Sequence, residues 1–350
     1  MKVYPPTLDL NLERIWPTDV IAKAREKNIA VMAAFGGWDM DQTYKELTNS
    51  AQAIAMGVQI ADFAIDNELD GVSIGHRHRW RVRFGVQVTF WPDLINSIRA
   101  RCIQRSVPDM IISIALPAVP ANGIDDSAAV VEQVLAAYTA PLFEKIDTSV
   151  DFYNMMTYDM PNRYDKGKKA QHQASLNGTL DTIKYYSGVG LSPKKSNSGT
   201  PVWFPMAKCD SPNGLGCLLD ADITLDNAGT NRFRAEYNWE NPKWAADKAT
   251  HPSYDTSFDN SLKSMQKYIT KDGKVGAPNA EYYDPKAKAD TYYDKDLKIF
   301  WTWQGPEAIA ETCKGVIDSD IGGQMIFAVG MDSTDLLHWD AWMGCVRGWK

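Results

Sequence analysis

The sequence predicts an α/β fold, a parallel sheet closed into a (β/α)8 barrel, with a long insertion before the last strand. Three observations carry this. Short apolar runs alternate with longer segments of helical spacing, in the order strand, helix, strand, along most of the chain. The chain has 350 residues, a length that suits one barrel with insertions. Residues 205–295 break the rhythm and are rich in Asn, Asp, Lys, Gly, Tyr and Trp.

The elements follow in order. Residues 1–16 show little periodicity, and Pro17-Thr18-Asp19 opens a short helix through Lys27. Ile29 to Phe35 is a strand stopped by Gly36-Gly37-Trp38. The spacing of Ile54, Met56, Val58, Ile60, Phe63, Ala64 and Leu69 predicts a largely buried helix from about Ser50. A short buried strand, Leu69-Asp70-Gly71-Val72-Ser73-Ile74-Gly75, comes next. In residues 76–90, Arg77, Arg79, Arg81 and Arg83 alternate with His78, Trp80, Val82 and Phe84, a strand pattern with one cationic face. A helix from Pro92 to Cys102, a strand from Met110 to Leu116 and a helix from Ser127 to about Tyr138, capped by Asp126, follow. Val150 to Tyr158 is a strand, Thr179 to about Gly188 a helix, and Ser196 to Phe204 a strand.

The insertion holds one clear helix near Ser257 to Ile269, with Trp239, Trp244, Tyr282, Tyr283, Tyr292 and Tyr293 as aromatic anchors. Trp301 and Trp303 alternate on a strand and share a face. Glu307 to Val316 is the last predicted helix and Gly323 to Val329 the last strand. This gives six strands, near 29–35, 70–75, 110–116, 150–158, 196–204 and 323–329. A closed barrel needs eight. The first strands are therefore expected to be degenerate or missing from the chain. Residues 1–350 are read as a single barrel domain, with 205–295 as a subdomain between its last two strands.

Composition narrows the function. The chain is 44% hydrophobic and 23% charged, with a formal net charge of -7. Acidity argues against a nucleic-acid partner. No apolar run reaches the ~20 residues that span a bilayer, and the opening residues, without an apolar core, are not expected to act as a signal peptide. Cys209 and Cys217 bracket a turn-rich loop that suits a local disulfide, the alternative being two free thiols; Cys102, Cys313 and Cys345 are scattered without metal-ligand spacing. His76 and His78 lie at i, i+2, on one side of a strand, as two metal ligands would, but no third ligand neighbours them. No metal and no cofactor is expected, and a monomer is.

Several motifs resemble glycoside hydrolase family 18, the chitinase family, over about residues 28–335. Asp70, Gly71, Val72 and Ile74 fit its Asp-Gly-x-Asp-x-Asp-x-Glu strand, while Ser73, Gly75 and Arg77 stand where that family has its later aspartates and its acid. Ala34-Phe35-Gly36-Gly37 resembles its Ser-x-Gly-Gly strand, and Ile112 to Ala118 its next strand. Met156-Thr157-Tyr158-Asp159 matches Met-x-Tyr-Asp in full. Gly199-Thr200-Pro201-Val202-Trp203 resembles Gly-x-Pro-x-Tyr, and Gly322 to Phe327 resembles Gly-Gly-x-Met-x-Trp, with Phe327 in the place of a tryptophan.

The resemblance implies a TIM-type barrel, an extracellular location and recognition of β-1,4-linked GlcNAc in chitin or chitooligosaccharide. It assigns catalytic roles to Tyr158, Asp159 and Asp70, and sugar contacts to Trp38, Met156, Tyr158, Asp159, Trp203 and Phe327. In that family the substrate's N-acetyl group attacks the anomeric carbon while a glutamic acid protonates the leaving oxygen. Arg77 in the acid's place cannot donate a proton usefully at neutral pH. Hydrolysis is therefore expected to be lost or severely impaired. Two explanations stand: a glycan-binding pseudoenzyme or lectin, or a hydrolase whose residues 75–90 come from a misjoined coding segment. A metal-dependent barrel hydrolase using His76 and His78 is a further alternative.

Overall fold

A computed structural model of the chain describes residues 18–36, 47–75, 89–119, 138–160, 171–201, 204–208, 215–216, 236–237, 283–294, 299–329, 332 and 336–348. A six-stranded sheet runs in the order β1 (Met32–Gly36), β2 (Gly71–Gly75), β3 (Ile111–Pro117), β4 (Phe152–Met156), β5 (Ser196–Pro201), β11 (Gly323–Phe327). Each expected barrel strand is present. Strand β4 stops two residues early, because Thr157 and Tyr158 fold into tight turns, and β11 stops at Phe327. The chain clusters into two units.

The first unit comprises Met1–Pro117, Ala129–Asn154 and Tyr186–Lys195. Its described helices are α1 (Thr18–Glu26), α2 (Ser50–Asp66), α3 (Trp91–Gln104) and α4 (Ala140–Ile146). Asn49 caps α2 by accepting the Gln52 N–H at 3.0 Å. Strands β1, β2 and β3 pair in parallel, with Phe35, Ile74 and Ile114 in one row and Ala34, Ser73 and Ser113 in the next. Phe35, Val72, Ile74, Ile112 and Ile114 are buried. Gly71 is required by close approach: a Cβ there would lie 2.5 Å from the Ile111 carbonyl oxygen. Trp91, Tyr138, Tyr186, Phe143 and Tyr153 form an edge-to-face aromatic core.

The second unit comprises Ala118–Ala128, Met155–Tyr185 and Ser196–Lys350. It holds the end of β4, α5 (Leu176–Gly188), β5 and β11, which pair in parallel. Residues read as an irregular insertion contain a five-stranded antiparallel sheet that continues into the following strand. Its order is β7 (Glu236–Tyr237), β6 (Phe204–Lys208), β10 (Ile299–Trp303), β9 (Ala289–Asp294), β8 (Tyr283–Asp284). Of the expected aromatic anchors, Tyr292 is buried and Tyr283 and Tyr293 are half-buried, while Trp239, Trp244 and Tyr282 lie outside the described residues; on β10, Trp301 and Trp303 are buried. The helix expected near Ser257 to Ile269 and the helix from Ser127 lie outside the described residues, Tyr138 excepted.

Pro306 starts α6 (Pro306–Ile317), and α7 (Leu337–Arg347) follows β11. Cys313 and Cys345 join α6 to α7 in a disulfide, a pairing the scattered spacing did not suggest. Cys209 and Cys217 lie outside the described residues. No described helix is long and apolar enough to cross a membrane.

Candidate functional site

In an α/β barrel, chemistry sits at the C-terminal ends of the strands. In the second unit, β4 ends there in Met156-Thr157-Tyr158-Asp159. Two successive tight turns close it: the Thr157 N–H donates to Met155 O at 2.8 Å and the Tyr158 N–H to Met156 O at 2.7 Å. Asp159 follows in a left-handed conformation, with φ 53°. The buried Thr157 hydroxyl donates to the Gly199 carbonyl and accepts the Gly199 N–H, both at 2.8 Å, which welds the end of β4 to β5.

Gly199 lets the two strands meet around the tyrosine. A Cβ there would stand 2.7 Å from Tyr158 Cε1, 2.8 Å from Met155 O and 2.8 Å from Met325 Cε. Tyr158 is 5% exposed and packs with Ala174, Met156 and Met325. Its ring stacks on Phe327, centroids 6.0 Å apart and planes 22° from parallel. Phe327, opposite Pro201 in the register of β5 and β11, is 41% exposed. The peptide between Phe327 and Ala328 is cis. The structure thus brings Met156, Tyr158, Asp159 and Phe327 together at one set of strand ends. It offers a solvent-facing aromatic ring backed by a buried one, at the strand end that Asp159 follows in the chain. Such a ring accepts the apolar CH face of a sugar, while a carboxylate accepts hydrogen bonds from hydroxyl or amide groups.

In the first unit, β2 presents Ser73 and Gly75 on the face opposite the buried Val72 and Ile74. Their neighbours are Ala34 and Ser113 for Ser73, and Gly36 and Ala115 for Gly75. These rows hold small neutral side chains and no carboxylate. Asp70 stands at the other end of β2, and its carboxylate accepts the Val31 N–H at 2.7 Å. Five residues of extended chain, ~16 Å, separate it from Gly75. The structure therefore gives Asp70 a strand-aligning contact and does not bring it to the strand's C-terminal end. Trp38, Arg77, Trp203, His76 and His78 lie outside the described residues.

Residues that the sequence reading did not single out also shape this site. Met325 and Ala174 pack on Tyr158. His172 and Asp284 pair at 3.1 Å nearby in the chain's second unit. Burial holds the His172 imidazole below its ordinary pKa, against the pull of Asp284. Asp284 is also lowered: burial opposes this, but the Ala287 and Lys286 N–H groups and His172 outweigh it. No hydrophobic period marks either residue; the only signal was the turn dipeptide Asp284-Pro285.

No match was found among curated protein sequences. Several solved structures are similar. A chitinase from Rhizomucor miehei is 16% identical, with 93% of this chain and 87% of that chain covered and a TM-score of 0.67. A GH18 chitinase mutant from Cycas revoluta, solved in complex with (GlcNAc)4, is 13% identical over 93% of this chain and 84% of that one, TM-score 0.65. A chitinase-like agglutinin from Robinia pseudoacacia is 15% identical over 95% and 83%, TM-score 0.62. At such identities the likeness establishes the fold, an α/β barrel of the TIM type, of which the described six-stranded sheet is part. The family model of Glycosyl hydrolases family 18 matches residues 7–332, almost the whole length, and the chain belongs to that family.

Proposed function

We propose that this protein is a chitinase-like lectin that binds β-1,4-linked GlcNAc oligosaccharides and does not hydrolyse them at a useful rate. The observation that carries the reading is the pairing of a solvent-facing Phe327 with the buried Tyr158 beside Asp159. An aromatic floor next to a carboxylate suits a sugar that has both an apolar face and an acetamide. Tyr158 and Asp159 grip the acetamide and ring hydroxyls; Phe327 and Met156 form the apolar contact. The family resemblance adds Trp38 and Trp203 as further sugar contacts. Asp70 serves at one remove, by aligning β2.

The loss of hydrolysis follows from the acid's position. The family's reaction needs a carboxylic acid to protonate the leaving oxygen. Arg77 holds that position in the sequence, and no glutamate lies between Glu68 and Glu132. Absence of general acid catalysis alone removes ~10²–10⁴ in rate. A family relative that is named an agglutinin, and another solved with (GlcNAc)4, support a binding role. The Cys313–Cys345 disulfide supports an oxidising, extracellular setting.

Isothermal titration with (GlcNAc)4, on wild type and on Phe327→Ala, tests the binding half. The reading expects saturable heat with wild type and about tenfold weaker binding with the variant. No binding by the wild type would overturn it. Release of a chromogenic group from a chitotriose substrate tests the other half, and turnover at ordinary chitinase rates would contradict it.

A further inference from the structure

The stretch that precedes α5 ties the end of β4 to the β8–β9 hairpin. Tyr158 packs on Ala174. The Met160 N–H donates to Gln173 O at 3.0 Å, and the Gln173 N–H donates to Thr302 Oγ1 on β10 at 3.0 Å. Gln173 and Thr302 are both buried. The Leu176 N–H donates to Ala287 O at 2.9 Å. His172 Nε2 lies 3.1 Å from Asp284 Oδ2, with side-chain exposures of 11% and 35%. The other oxygen of Asp284 accepts the N–H groups of Lys286 at 2.8 Å and Ala287 at 3.1 Å. One carboxylate thus closes the hairpin turn and holds the imidazole.

This arrangement acts on the residues that end β4. Asp159 is in a left-handed conformation, which a non-glycine residue keeps only where its surroundings determine it. Asp159 is followed directly by Met160, whose N–H is fixed by Gln173. Gln173 is in turn fixed on one side by the His172–Asp284 pair and on the other by Thr302. We propose that His172 and Asp284 are positioning residues, which through residues 172–176 hold Tyr158 and Asp159 in the geometry that receives a GlcNAc unit. The inference rests on the binding function proposed above and assigns the β8–β9 hairpin a part in it. The neutral imidazole donates its Nε2–H to the Asp284 carboxylate, and this contact crosses from residues 172–176 to the hairpin.

Titration with (GlcNAc)4 of the full chain and of Asp284→Ala, Asp284→Asn and Thr302→Val tests it, with thermal unfolding of each. Asp284→Ala is expected to weaken binding about tenfold. Asp284→Asn should restore affinity to within about threefold of wild type. Its amide keeps the oxygen that closes the turn and offers an N–H to the other tautomer of His172. If Asp284→Ala does not fold, Thr302→Val decides, since it cuts only the bond to Gln173 and should also weaken binding. Wild-type affinity in Asp284→Ala or in a folded Thr302→Val overturns the inference alone. Asp284→Asn as weak as Asp284→Ala also overturns it, since loss of the charge would then account for the effect. A wild type that does not bind (GlcNAc)4 overturns the binding function and this inference with it.

Discussion

Strands β2 and β4 begin alike. Asp70, just before β2, accepts the Val31 N–H at 2.7 Å, and Asp151, just before β4, accepts the Ile112 N–H at 2.6 Å. Each carboxylate fastens its strand to the one before it in the sheet. Asp151 is held further by Arg99 at 2.7 Å, whose guanidinium also reaches the carbonyls of Pro108, Met110 and Ser149. The strands end differently. Strand β2 carries Ser73 and Gly75 among small neutral neighbours, whereas β4 runs into Thr157, Tyr158 and Asp159. Alignment of a parallel strand is set at its N-terminal end, and chemistry at its C-terminal end. The contact that aligns β2 therefore does not depend on the residues at its mouth.

The first expected effect concerns a third clamping aspartate. Asp290 accepts the Gly305 N–H at 2.8 Å, at the start of α6, but it is 4% exposed. Burial raises its pKa to about 7, opposed by that hydrogen bond and reinforced by Glu307. An unfolded aspartate titrates near ~3.9. The folded state thus holds the proton more tightly, and Asp290's contribution to stability is full below the unfolded value. It declines as pH rises toward 7, at most ~1.4 kcal/mol per pH unit, and is flat above. Urea denaturation at pH 5 and pH 8 should find the wild type less stable at pH 8, and Asp290→Asn should remove most of that difference.

Two glycine substitutions compare the strands directly. Gly71→Ala would place a Cβ 2.5 Å from Ile111 O and 2.7 Å from Ile111 Cβ, and Gly199→Ala one 2.7 Å from Tyr158 and 2.8 Å from Met155 O. Each should destabilise by about 3 kcal/mol, measured by urea denaturation. They should part in binding: the folded fraction of Gly71→Ala keeps wild-type affinity for (GlcNAc)4, whereas Gly199→Ala displaces Tyr158 and loses it. Smaller effects are expected at the clamps. Asp151→Ala should cost about 2 kcal/mol and Asp70→Ala about 1 kcal/mol, since Asp151→Ala also removes the carboxylate that pairs with Arg99. Neither should change affinity, and a tenfold loss in Asp70→Ala would mean that Asp70 acts at the site itself. Phe327→Ala should shift the thermal midpoint least, because its ring is half in solvent, while weakening binding.

Most barrel strands were legible because they are short apolar runs that bury locally readable faces; β5, Ser-Asn-Ser-Gly-Thr-Pro, is the exception. Val72 and Ile74, or Tyr153 and Met155, announce a strand without help from distant residues. Helix α2 was legible from its period and starts at Ser50 as expected. The antiparallel sheet was not. Strands β7 and β8 have two residues each, too few for a period, and their pairing depends on partners far along the chain. The disulfide spans 32 residues between two helices and follows from their packing rather than from spacing. Helices α4 and α7 were not anticipated; α4 has seven residues, less than two full turns of period to read. At the site, Met-x-Tyr-Asp located the end of β4, because those residues are consecutive. The contacts that hold it, from Gly199, Ala174, Met325 and the His172–Asp284 pair, come from separate segments, and only folding brings them together. Asp70 belongs to a motif that runs through β2, but stands at the strand's N-terminal end, where its carboxylate accepts the Val31 N–H.

One measurement tests the central claim most directly: binding and turnover of a GlcNAc oligomer on the same sample at neutral pH. Titration with (GlcNAc)4 and chromatography of the recovered sugar supply both values. Saturable binding that depends on Phe327, with the tetramer recovered intact after prolonged incubation, is the predicted result. Cleavage to shorter oligomers at ordinary chitinase rates would contradict it, and would require a proton donor other than the residue at position 77.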